Sequence, residues 1–117
     1  MIAFHLSDDQ SIVNLNGIAG LCIIYKAEKQ FAIQLAGPYP EKNVDYYMHS
    51  VSAAYTVTLL ELPIENFKQE GWGTTISIEE VLANYVSSIN FSYEAPAGKQ
   101  NSIQIYAVGL SGTCKIQ

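Results

Sequence analysis

Few residues in this chain are of types that do chemistry, and their spacing limits what they can do. The histidines are His5 and His49, the cysteines Cys22 and Cys114, and the adjacent carboxylates Asp8-Asp9 and Glu79-Glu80. A nucleophilic site needs a thiol or hydroxyl beside a base that a third group orients. Cys22 could meet His5 or His49, yet it stands in the apolar run Leu21-Cys22-Ile23-Ile24, where burial disfavours the reactive thiolate. The four metal-ligating side chains include none of the short pairs that place two donors on one hairpin or one helical turn. Gly17 and Gly20 open no phosphate-cradling loop between a strand and a helix. Asp8-Asp9 suits a turn, and Glu79-Glu80 the first turn of a helix. The sequence therefore predicts no catalytic residue, no cofactor and no metal site.

Charge carries more information. The chain has no arginine and a net charge of −5. Between residues 61 and 80, Glu61, Glu65, Glu70, Glu79 and Glu80 face only Lys68, and the sole tryptophan, Trp72, lies between two glycines in the middle. A fixed acidic field speeds encounter with a basic partner, and a large aromatic supplies the anchor. Glu61, Glu65, Glu70, Trp72, Glu79 and Glu80 are thus the expected partner-binding residues, with the glutamates pairing to Lys or Arg. The competing expectation is that Trp72 covers the edge of the core and the glutamates merely solvate helices. The physical character, without any family motif, is that of a non-catalytic inhibitor of the immunity or antitoxin kind, covering a basic partner such as a nuclease toxin. An alternative of a different class is a small enzyme or ligand-binding protein with an apolar pocket lined by Tyr47, Met48, Tyr55, Tyr85 and His5. Clustered Lys or Arg for nucleic acid or anionic membranes is lacking.

With 117 residues, 49% of them hydrophobic and 15% charged, the chain is expected to form a single domain over 1–117 with a core of its own. The first residues lack a basic segment ahead of an apolar one, so no signal peptide is expected. No apolar run reaches the roughly 18 residues of a membrane span. These features point to a cytoplasmic protein, in which Cys22 and Cys114 would stay reduced, although a bridge between them is conceivable.

The elements that must position these residues follow from periodicity. Ile2, Phe4 and Leu6 alternate as a strand, and Ile12–Leu15 reads as a second. Gly20–Tyr25 and Phe31–Leu35 flank a polar stretch, which predicts a hairpin. Val44, Tyr47, Met48, Val51, Tyr55, Leu59 and Leu62 recur at three and four, predicting a helix over 41–61 with Asp45, His49, Ser52 and Thr56 on its opposite, polar face. A helix ending near Ala54 and followed by a strand is the alternative, because Thr56-Val57-Thr58 is β-branched. Ile64–Glu70 suits a short helix stopped by Gly71. Ser77 with Glu80 forms a capping box for a helix over 78–88. Strands beginning at Phe91 and at Ile103 close the chain, separated by a loop at 95–99. The expected fold is α+β, a mostly antiparallel sheet with two main helices packed on one face. The Ile103–Leu110 strand could leave an edge open for homodimerisation.

Overall fold

A computed structural model of the chain describes residues 2–9, 11–39, 45–73, 75–93 and 103–116. Its strands are β1 (Ile2–His5), β2 (Gly20–Ala27), β3 (Phe31–Ala36), β4 (Met48–Val51), β5 (Ala54–Pro63), β6 (Ser88–Tyr93) and β7 (Ile103–Leu110). A 3-10 turn at Ile64–Asn66 and one α-helix, α1 (Ile78–Asn84), complete the regular structure among the described residues. The strands form two antiparallel sheets. The larger has the order β1-β6-β3-β4 and the smaller β5-β2-β7.

This corrects the expected α+β arrangement with two main helices. Strand accounts for 46% of the described residues, and only one helix reaches seven residues. The largest difference falls on the helix expected over 41–61. Residues 41–44 lie outside the described residues, and 48–63 form β4 and β5. Spacings of three and four sample both faces of a strand as readily as one face of a helix. In β5, Leu60 and Leu62 stand opposite the core residues Ile23 and Leu21, while Leu59 and Glu61 stand opposite Ile24 and Cys22 on the other face. β-branched and aromatic residues favour such a pleated, half-buried surface, so the strand half of the alternative is the correct half.

The expected hairpin is also replaced. β2 pairs with β5 and β7, whereas β3 pairs with β4 and β6. The link Glu28–Gln30 therefore carries the chain from one sheet to the other. Local alternation locates strands but does not say which neighbours they take. Residues 11–18 form no strand. Val13 and Leu15 instead donate backbone N–H groups to the Val86 and Leu82 carbonyls at 2.9 and 2.7 Å. The helix expected over 64–70 shrinks to the 3-10 turn. The N-cap half of the expected capping box is present: Ser77 Oγ accepts the Glu80 N–H at 3.3 Å. The helix that it starts ends at Asn84, and Ile89, expected on its buried stripe, belongs to β6.

The core lies between the sheets. Phe31, Ile33 and Leu35 of β3 and Ile89 and Phe91 of β6 meet Leu21, Ile23 and Tyr25 of β2, with Val81, Leu82 and Val86 closing one end. Tyr25 meets Phe31 edge-to-face at 5.5 Å between ring centres, a geometry that the ring quadrupoles favour. Each such side chain contributes about 1.5–3 kcal/mol by leaving water.

Cys22 and Cys114 are joined by a disulfide, which corrects the expectation of two buried free thiols. The residues after β7 fold back over the sheet at Gly109, where an added Cβ would meet Thr113 Oγ1 at 2.7 Å and lie 3.6 Å from the Cys114 sulfur. A side chain there would have to displace the Thr113 hydroxyl for the strap to cross. Among the described residues no helix is long and apolar enough to cross a membrane.

Candidate functional site

The chain between β5 and α1 carries Glu65, Glu70 and Trp72, half of the expected partner-binding residues, and one buried carboxylate organises it. Asp45 is 2% exposed. Its Oδ1 accepts the Glu70 N–H at 3.0 Å and its Oδ2 the Gly71 N–H at 2.6 Å. Hydrogen bonds from backbone N–H groups to a carboxylate are stronger than neutral ones and offset its loss of water. Gln69 adds a second clamp: its Nε2 donates to the Asp45 carbonyl at 2.8 Å, and its Oε1 accepts the Ile76 N–H at 3.3 Å. Lys68 exchanges two backbone hydrogen bonds with Met48, at 2.9 and 3.0 Å. Phe67 is buried beneath this segment with the His49 ring against its edge.

Gly71 has φ 103°, a left-handed conformation that side chains resist. The turn it makes leaves Trp72 62% exposed. The largest apolar side chain in the protein thus stands in solvent on a backbone fastened from both sides. Beyond the turn, Tyr47 Oη donates to the Ile76 carbonyl. Burial pushes the Tyr47 phenol above its ordinary range, and the charges of Glu79 and Asp45 add to the effect.

Of the six expected residues, Glu70 and Trp72 share the clamped turn. Glu65 is exposed on the 3-10 turn, and Glu79 and Glu80 are exposed in the first turn of α1. Glu61 is engaged elsewhere. Its Oε2 accepts from Ser111 Oγ and its Oε1 from the Gly112 N–H, both at 3.0 Å, which commits it to the C-terminal strap.

A cleft of about 520 Å³ opens beside the loop, lined by Met48, His49, Ser50, Asn66, Lys68, Gln69 and Glu70. His49 Nδ1 bonds the Ser50 carbonyl at 2.6 Å. The Cys22 sulfur, tied in the disulfide, offers no thiol. Among the described residues no group of three or more His, Cys, Asp or Glu is placed to hold a metal. Two of the residues expected to line the alternative pocket border separate clefts. Met48 lines this cleft, Tyr55 lines another, and Tyr47 and Tyr85 line neither.

Asp45 and Gln69 are the residues that sequence reasoning missed, since Asp45 was placed on the solvent face of a helix. Their partners lie 25 and 24 residues away for Asp45, beyond the reach of any local pattern. The one local signal was Gly71-Trp72-Gly73, which marks a tight turn around an aromatic. No family model matches the chain, nor does any curated protein or any solved structure.

Proposed function

We propose that this protein is a non-catalytic binding module that docks a basic protein partner, such as a nuclease toxin, through the Trp72 loop. The observation that carries this reading is Trp72 itself, 62% exposed on a turn that the buried Asp45 carboxylate fastens through two backbone N–H groups. A rigid aromatic loses little conformational freedom on docking, so more of its burial appears as affinity. Glu65, Glu70, Glu79 and Glu80 supply the negative field around it and select a cationic surface. Glu61 is left out of this interface because its carboxylate serves the strap. A disulfide is at home in an oxidising compartment, and this reading places the meeting with the partner there.

The sole tryptophan makes the test direct. With 5-fluorotryptophan at position 72, the ¹⁹F resonance is followed while cationic nucleases and other basic proteins are added at low and high salt. The expected result is one partner that shifts the resonance, with salt slowing association. Trp72→Ala should raise the off-rate by at least about thirtyfold, as for an interface anchor worth about 2 kcal/mol. A partner that binds equally well to Trp72→Ala and leaves the resonance unmoved would overturn the assignment.

A further inference from the structure

The smaller sheet is interrupted on both sides at one level. Tyr25 and Ala27 of β2 pair with Thr58 and Ala54 of β5, two steps along one strand against four along the other. On the opposite side Ile24 and Tyr25 pair with Ala107 and Ile105 of β7, one step against two, which leaves Tyr106 as the extra residue. Bulges bend a strand and re-aim its side chains, and they are frequent beside functional sites. Here each carries an exposed tyrosine: Tyr55 is 76% and Tyr106 54% exposed.

Both rings are tethered through their hydroxyls. Tyr55 Oη donates to the Glu28 carbonyl at 3.4 Å, and Tyr106 Oη donates to Gln104 Oε1 at 2.8 Å. A cleft of about 230 Å³ opens at this level, lined by Lys26, Ala27, Glu28, Ala54, Tyr55 and Gln104. Its rim holds one ammonium, one carboxylate and one amide, so donors and acceptors are both present and the formal charges cancel. An anionic ligand would meet Glu28 and a cationic one Lys26. A neutral polyhydroxylated ring suits all three groups, because its hydroxyls both donate and accept while its C–H face lies on an aromatic side chain. The volume lies below the roughly 300–1,000 Å³ of sites for drug-sized ligands, which leaves room for one such ring.

We propose that this cleft binds a neutral saccharide, one pyranose unit against Tyr55, with Tyr106 extending the platform for a second unit. The site is separate from the Trp72 loop and does not depend on its function. The test is amide chemical-shift mapping of the disulfide-bonded protein with methyl glycosides of glucose, galactose, mannose and N-acetylglucosamine, and with disaccharides of each, at about 10 mM, enough to fill a millimolar site. The expected result is shifts at Lys26, Ala27, Glu28, Ala54, Tyr55 and Gln104 with none at 70–73. Tyr55→Ala should weaken binding about tenfold or more, equivalent to about 1.4 kcal/mol. Tyr55→Phe, which keeps the ring face but loses the tether, should weaken it less than Tyr55→Ala, Trp72→Ala should leave it unchanged, and Tyr106→Ala should weaken disaccharides more than monosaccharides. Absence of shifts with every sugar, or shifts that survive Tyr55→Ala, would overturn the proposal.

Discussion

Two irregular segments of this protein are held by the same device, an acidic side chain that accepts two hydrogen bonds from a turn, yet the device is set in different surroundings. Asp45 takes the Glu70 and Gly71 N–H groups and is buried. Glu61 takes the Ser111 hydroxyl and the Gly112 N–H and is exposed. In water the competing solvent leaves such bonds little net worth, whereas out of water their loss strands a polar group. The buried clamp holds the Trp72 turn without a covalent aid. The exposed one is backed by the Cys22–Cys114 bridge. Similar hydrogen-bond lists can therefore describe unlike mechanical situations.

The comparison can be tested from its strongest element downward. Replacing both cysteines by alanine opens a bridge that spans 92 residues. The expected cost is about 4.6 kcal/mol on a chain-entropy estimate for a loop of that size, seen as a lower urea midpoint. A change within about 0.5 kcal/mol would mean that Glu61 holds the strap alone.

Asp45→Ala comes next, with an expected loss of about 2–3 kcal/mol from the stranded donors and faster amide exchange at Glu70 and Gly71. Unaltered exchange there would break the claim that the carboxylate rigidifies the turn.

A third test uses pH. Burial raises the phenol pKa of Tyr39, above all others, and also those of Tyr47 and Tyr25, from the ordinary value of 10.0. The folded state therefore keeps these protons after the unfolded chain has begun to lose them. Their contribution to stability is complete below pH 10 and declines as pH rises beyond it. Denaturation at pH 9 and pH 11 should show this decline, and Tyr39→Phe should reduce it. A Tyr39→Phe profile parallel to the parent's would remove Tyr39 as a cause.

The smallest effect belongs to Glu61→Gln, expected below about 1 kcal/mol with the bridge intact. A loss near that of Asp45→Ala would erase the distinction between the two clamps.

What the sequence revealed followed the range of the interactions. Ser77 and Glu80 meet within one helical turn, so their cap and the start of α1 were legible, as was the alternation of Ile103 and Ile105 in β7. The glutamates and Trp72 could be read as a charged segment with an anchor. Illegible were interactions whose partners lie far along the chain. Asp45 looked like a solvated polar residue because Glu70 and Gly71 lie 25 and 26 residues on. β4 and β5 were read as a helix because Val51, Tyr55, Leu59 and Leu62 satisfy a helical spacing that a two-sided strand also satisfies. The disulfide was passed over because Cys22 and Cys114 become neighbours only when the strap crosses Gly109.

The order of the smaller sheet also has a consequence for biosynthesis. β2 is its middle strand, and both neighbours, β5 and β7, come later in the chain. While the polypeptide is being made, the apolar run Leu21–Tyr25 must wait for β5 until residue 63, and for β7 until residue 110, has left the ribosome. Non-local pairing of this kind folds slowly and leaves strand edges open to other nascent chains. Early in its life this protein should depend on a chaperone that holds the emerging chain, and the need should end when β7 arrives and the bridge can close.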